Sequence, residues 1–336
     1  MKHILVFLLL FSSHFLCSQT FQPPIEGPGS ATYQHDSVVV YDYAQKQEGY
    51  WLFEPALPRP KAAPVVVFLH GYGGYNPMIY GQWIRHLVRQ GNVVIYPRYQ
   101  KTMTIPIAKK FSKNVVTAIQ EALTIMATPA HIDPIVDNFS MVGHSYGGAI
   151  AAEISMQWKE RQIPEPKALF LCAPGTGPLK ASNLENYSQL PKELLLLVMI
   201  QENDHVVGDD MGLRIFETAV HTPRRNLIRQ YEDSLNGIDA DHNETYCVDK
   251  AFDTGLRNYT SKRALRITQT NAIDYYGHWK LFDALLACTR KGQYCEFAFG
   301  DTPQQHSLGL LNGKELKKLE VMVPEQGRRS LLSEKK

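Results

Sequence analysis

Residues 139–150 read FSMVGHSYGGAI, and the fold is decided here. Phe139–Val142 is a short apolar run of strand character, and the small-residue stretch Ala149–Trp158 reads as a helix. Between them lies Gly143-His144-Ser145-Tyr146-Gly147, a G-x-S-x-G sequence. A chain turning this sharply from strand to helix puts the central serine in a strained conformation, its hydroxyl exposed above the sheet edge. Glycines are needed on either side because a Cβ there would collide with neighbouring strand and helix backbone. Ser145 is therefore the expected nucleophile. The alternative, an ordinary glycine-rich helix start, gives no reason for a serine at 145.

Upstream, Pro64 introduces Val65–Leu69, a continuous apolar run that reads as a strand buried on both faces. His70-Gly71-Tyr72-Gly73-Gly74 breaks it. Further strands are expected at Ser37–Tyr43, Gly49–Glu54, Val93–Tyr96, Leu169–Cys172, Leu194–Ile200 and Asn226–Tyr231, with an edge strand at Leu319–Val323. Helices are expected around Trp83–Val88, Ile107–Ala127, Gly212–Val220 and Thr270–Cys288, where apolar residues recur at helical spacing. Strands alternating with helices imply an α/β fold, a mostly parallel sheet with helices on both faces. No internal repeat and no dividing linker is evident, so residues 19–324 read as one domain, entered through an extended surface arm at Pro23–Gly29.

The chain has 336 residues, 44% hydrophobic and 20% charged, with a formal charge of +2. Such a balance gives no electrostatic case for nucleic acid, which requires a concentrated basic face. Lys2 and His3 precede the apolar run Ile4–Phe11, and small or polar residues follow through Ser18, the pattern of a secretory leader over residues 1–18. The run is too short for a stable membrane span. Lipoprotein anchoring at Cys17 is the competing reading and is disfavoured by Leu16. Export leaves Cys172, Cys247, Cys288 and Cys295 in an oxidising compartment. Cys172 lies in an apolar run and is expected to pack as a small hydrophobe. Cys288 and Cys295 flank Gly292 and suit a local disulfide, Cys247 could tether its own loop by another, and the pairing stays open. Sequons stand at Asn138, Asn186, Asn243 and Asn258, two of them at positions awkward for a glycan, so the chain reads as bacterial, periplasmic or extracellular. The basic tail 325–336 reads as disordered.

With HGYGG at 70–74 and GHSYGG at 143–148, about residues 38–290 resemble the α/β-hydrolase superfamily, particularly its lidless secreted esterases of the chlorophyllase-like and polyester-hydrolase-like kinds. The resemblance implies a triad in the order nucleophile, acid, histidine. The acid loop after Leu194–Ile200 reads Gln201-Glu202-Asn203-Asp204-His205-Val206-Val207, which implies Asp204, with Glu202, Asp209 and Asp210 in reserve. The base follows the next strand, which implies His242, with His278 as the alternative base. His70, His205 and His221 read as structural. An oxyanion hole would use the backbone N–H groups of Tyr72 and Tyr146. Only about 20 residues separate Cys172 from Leu194, too few for a large cap domain, so the site should be open, flanked by Tyr72, Tyr75 and Tyr146.

The expected activity is hydrolysis of small or polymeric carboxylic esters through an acyl-enzyme, without cofactor or metal. A peptidase, thioesterase or acyltransferase would use the same triad. A non-catalytic exported binding protein on this fold is the reading from another class, set against a complete candidate triad. Metal- or nicotinamide-dependent chemistry lacks its motifs, since no H-E-x-x-H or G-x-G-x-x-G stands in a suitable context.

Overall fold

Period-two splitting of uninterrupted apolar strands organises the core. A computed structural model describes residues 21–324; the leader reading, Cys17 and the tail 325–336 lie outside the described residues. The strands are β1 (Ser37–Asp42), β2 (Tyr50–Ala56), β3 (Ala62–Leu69), β4 (Val93–Pro97), β5 (Asp133–His144), β6 (Ala168–Cys172), β7 (Leu195–Gln201), β8 (Arg225–Gln230) and β9 (Glu320–Met322). They form one nine-stranded sheet in the order β1-β2-β4-β3-β5-β6-β7-β8-β9. The six strands β3 to β8 run parallel, while β1, β2 and the edge strand β9 pair antiparallel.

Alternate residues of each central strand serve opposite faces. Phe68, Tyr96, Phe170 and Leu197 pack on one side against α1 (Gly81–Arg89) and α6 (Lys280–Lys291). Val67, Ile95, Leu171 and Val198 pack on the other against α2 (Phe111–Met126), α3 (Tyr146–Met156) and α4 (Asp210–Thr218). Each fully buried side chain of this kind stabilises the fold by ~1.5–3 kcal/mol relative to exposure. Layers of helix, parallel sheet and helix, with a short antiparallel edge at each end, make this an α/β-hydrolase fold.

Several elements differ from their sequence expectations. The long C-terminal helix opens as a π-helical segment, Ile273–Trp279, before α6 becomes regular. Strand β5 starts at Asp133, well before the apolar residues that announce it. A nine-residue helix, α5 (Tyr259–Ile267), arises in a polar stretch for which the sequence announces no helix. The N-terminal arm is docked rather than free, since Gly29 N–H donates to Asp283 Oδ2 at 2.9 Å and Pro28, Gly29 and Ser30 are buried.

Chain order places the site. The chain leaves β3 for β4 on one side, then crosses back to β5 on the other. Loops after β3 and β5 therefore diverge at a topological switch point, where α/β sheets open a crevice beyond the carboxyl ends of their strands. Those two loops are His70–Gly74 and the elbow at Ser145.

Candidate active site

Backbone geometry at the elbow follows from its glycines. Ser145 has φ 54° and ψ −122°, a conformation L residues rarely adopt, reached directly after β5 and before the first turn of α3. A Cβ on Gly147 would lie 2.2 Å from Leu69 O and 2.4 Å from His70 O, and one on Gly143 would lie 2.6 Å from Gly147 O. The turn closes only where both positions lack a side chain, against strand β3 and against the helix start. Ser145 N–H donates to Cys172 O at 2.9 Å, which holds the elbow to the end of β6.

Three side chains from three loops converge. His242 Nε2 lies 2.8 Å from Ser145 Oγ, and His242 Nδ1 lies 2.7 Å from Asp204 Oδ2. Asp204 stands after β7 and His242 after β8; Asn203 N–H donates to Ala240 O at 2.9 Å and joins the two loops. All three residues are buried to 6–7% exposure. Burial pushes the Asp204 carboxyl up, but the bond to His242 and the amides of Val207 and Val206 outweigh it and hold it below the usual carboxylate range. An ionised Asp204 accepts from Nδ1–H, so Nε2 carries the lone pair and Ser145 O–H donates to it.

The glycine turn after β3 supplies the facing wall. Among the described residues, the backbone N–H groups of Tyr72 and Tyr146 donate to no protein acceptor, whereas Gly71 N–H reaches Tyr80 Oη at 2.9 Å and Gly73 N–H reaches Gln100 Oε1 at 2.7 Å. Two free amides of this kind suit a developing oxyanion. Sequence reading missed the brace on this turn. Asn258, the N-cap of α5, donates from Nδ2 to Gly73 O at 2.7 Å, and Thr260 Oγ1 donates to Tyr72 O at 3.2 Å. The available signal was the cap itself, Asn258 three residues before Ser261, a capping box that the sequon pattern at the same asparagine obscures.

The other expected residues lie elsewhere. His278 is fully buried in the core, 5.6 Å from the Trp83 ring, where burial pushes its pKa down to about 3, and it makes no contact with Ser145. The π segment buries Ile273, Gly277, His278 and Trp279 together there, while Tyr275 and Tyr276 stay partly exposed. His70 stacks on Tyr99 beneath the glycine turn, its ring nitrogens 2.6 Å from Gly71 O and 3.0 Å from Arg98 O, and burial lowers its pKa to about 4. His205 is exposed, and His221 faces Ser188 O. Glu202 accepts from Glu232 N–H, Asp209 pairs with Arg229, and Asp210 opens α4. Of the three flanking tyrosines, two are turned inward. Tyr146 packs on Phe111 at 5.4 Å and donates to Ala181 O, since the helix start directs its ring into the α2–α3 layer; Tyr75 is buried beside His70. Only Tyr72 is partly exposed, its hydroxyl donating to Met103 O.

Cys288 and Cys295 form a disulfide, while Cys172 and Cys247 are free and buried. The expected covalent tether at Cys247 is thus replaced by main-chain bonds: Cys247 N–H donates to Ile79 O at 3.0 Å and Gln82 N–H donates to Cys247 O at 2.9 Å. No large cap covers the site from the β6–β7 connection, whose described helical content is the 3₁₀ turn Gly177–Leu179.

A strained serine elbow after β5, a histidine and carboxylate after β8 and β7, and a glycine turn after β3 stand together on a mixed, mostly parallel sheet, the arrangement of an α/β-hydrolase fold. Residues 55–187, from the end of β2 to beyond the elbow, match the family model described as chlorophyllase. The match supports an esterase-like hydrolase function. No curated protein shows a significant match to the chain.

Proposed function

We propose that the protein is an exported serine carboxylesterase, one domain behind a cleaved leader, that works through an acyl-enzyme. Ser145 Oγ attacks the ester carbonyl carbon as His242 Nε2 takes its proton. The oxyanion binds the amides of Tyr72 and Tyr146, while Asp204 keeps Nδ1 protonated and stabilises the imidazolium. His242 then returns the proton to the departing alkoxide oxygen. Water, deprotonated by the same nitrogen, cleaves the acyl-enzyme and releases the acid.

The observation that carries this reading is the unbroken line Ser145 Oγ, His242 Nε2, His242 Nδ1, Asp204 Oδ2, with steps of 2.8 Å and 2.7 Å at its ends, anchored on a serine at φ 54°. An apolar substrate is favoured by side chains on the loops that build the site. Val206 beside Asp204 is 57% exposed, Tyr259 beside Thr260 is 67% exposed and Ile105 beyond Met103 is 79% exposed. The Cys288–Cys295 disulfide suits export, and no helix among the described residues is long and apolar enough to cross a membrane.

The test is turnover of p-nitrophenyl esters from acetate to laurate. Ser145→Ala and His242→Ala are expected to lose turnover, and His278→Leu to retain it in the folded fraction. Turnover that survives Ser145→Ala overturns the reading, and the chain-length profile of the wild type identifies the acyl preference.

A further inference from the structure

Directly behind the nucleophile runs a second line of hydrogen bonds that the chemistry above does not use. Gly71 N–H donates to Tyr80 Oη at 2.9 Å, Tyr80 Oη lies 2.8 Å from His144 Nδ1, and His144 Nε2 lies 2.8 Å from His242 O. Tyr80 and His144 are at 0% and 1% exposure. The proton positions along this line are dictated. His242 O is a carbonyl and can only accept, so His144 Nε2 carries a hydrogen. Burial, and then the neighbouring His242, hold His144 well below its ordinary pKa, so the ring is neutral and Nδ1 must accept. Tyr80 O–H is the donor that reaches it, and burial keeps that hydroxyl protonated. The remaining lone pair of Tyr80 faces Gly71 N–H.

Every member thus has one role, and the line joins three parts of the proposed machinery. Gly71 precedes the Tyr72 amide, His144 precedes Ser145, and His242 O belongs to the backbone of the base itself. Close packing adds to it, because a Cβ on Gly71 would lie 3.0 Å from His144 Nδ1 and 3.2 Å from Ser145 Cβ. We infer that Tyr80 and His144 are positioning residues, a buried strut that sets the oxyanion turn and the His242 backbone at fixed distances from Ser145. This rests on the triad reading above. Its reason is geometric: acyl transfer demands that donors and base keep their places while charge moves from the serine to the carbonyl oxygen, and a displacement near 1 Å costs about 100-fold in rate.

Tyr80→Phe removes one oxygen and keeps the ring among Phe68, Tyr96 and Tyr246. It is expected to lower kcat on p-nitrophenyl butyrate by roughly 10- to 100-fold with KM within twofold. His144→Leu should do the same. His144→Gln can donate an amide N–H to His242 O and accept from Tyr80 O–H, so it should recover most of the loss. Thermal melts of each variant accompany the kinetics, and Tyr80→Phe decides the matter where His144→Leu does not fold. A Tyr80→Phe enzyme with kcat within threefold of wild type, or one in which KM alone rises, overturns the inference. So does a folded His144→Gln no better than a folded His144→Leu. Ser145→Ala, run alongside, separates the two claims. Retained turnover there sinks the triad reading, whereas lost turnover with an unimpaired Tyr80→Phe sinks only the strut.

Discussion

Asp204→Asn exchanges one oxygen for an NH2 group, and the surroundings dictate which way the new amide turns. Asp204 Oδ1 accepts from the N–H groups of Val206 at 2.9 Å and Val207 at 3.0 Å, while Oδ2 accepts from His242 Nδ1–H at 2.7 Å. An asparagine keeps its oxygen on the two backbone donors, since turning it around would set NH2 against both of them and forfeit two hydrogen bonds at ~1 kcal/mol each. Its NH2 group then faces His242 Nδ1. Two donors cannot face each other, so the imidazole proton moves to Nε2, and Nε2 can no longer accept from Ser145 O–H. The variant also loses the negative charge that stabilises imidazolium. Loss of tautomer and charge together in such a triad lowers kcat by about 10⁴-fold, equivalent to about 5–6 kcal/mol at ~1.4 kcal/mol per decade. KM should change little, because the Asp204 side chain is only 1% exposed and does not reach substrate. The assay is steady-state hydrolysis of p-nitrophenyl butyrate at pH 8, with a thermal melt to show that the variant is folded. A folded Asp204→Asn enzyme within tenfold of wild type would refute both the tautomer argument and the assignment of Asp204.

Three further outcomes are expected. Gly147→Ala forces a Cβ to 2.2 Å from Leu69 O and should destabilise the fold by ~3–5 kcal/mol, read as soluble yield and melting temperature; a variant that melts like wild type would show that the elbow relaxes freely. Asn258→Ala loses both the α5 cap and the bond to Gly73 O, so it should cost about 1 kcal/mol in denaturant titration and lower kcat several-fold at constant KM. Burial, then Asp241 and Asp239, raise Glu244 to about 8, so the folded state binds its proton more tightly than the unfolded state does. The stability this supplies is complete below the unfolded pKa, near 4.5, and is lost as pH climbs through about 8. Glu244→Gln should therefore raise the melting temperature relative to wild type at pH 9 and not at pH 4, and an equal shift at both pH values would count against the buried-acid explanation.

The sheet was legible because burial on both faces leaves a one-dimensional trace. Val65–Leu69, Val93–Tyr96, Leu169–Cys172 and Leu194–Ile200 are uninterrupted apolar runs, and each became a parallel central strand. Where burial is one-sided, the trace fades. The first half of β5 exposes Ile135 at 36% and Val136 at 42% and continues through the polar pair Asp137-Asn138, so composition hides a strand that pairing with β3 creates. Helix α5 is similar, since its polar residues form a helix through the Asn258 cap and through contact with the glycine turn. The π segment is invisible for a different reason. Buried Ile273, Gly277, His278 and Trp279 satisfy a helical period about as well as a wider one.

Visibility of the candidate site divides along the same line. Ser145 is legible because its backbone strain must be solved locally, by glycines at fixed offsets. Asp204 and His242 are expected from the chain order that the family resemblance implies, and the loops after β7 and β8 bring both side chains into line with Ser145. The contacts that surround these residues obey neither rule. Tyr80 is 64 residues from His144, and Asn258 is 185 residues from Gly73; both contacts exist only after the sheet has folded. Cys247 makes the same point from the opposite direction. Its spacing from His242 suited a disulfide tether, yet the loop is held by the Cys247 backbone against Ile79 and Gln82, at the start of the helix that also carries Trp83 into the core. Ile79 and Gln82 flank Tyr80, so one short segment fastens the histidine loop by its main chain and the glycine turn after β3 by a phenol. A substitution that shifts this segment should disturb the proposed base and the proposed oxyanion donors together, whereas one in the Asp204 loop should disturb the proposed base alone.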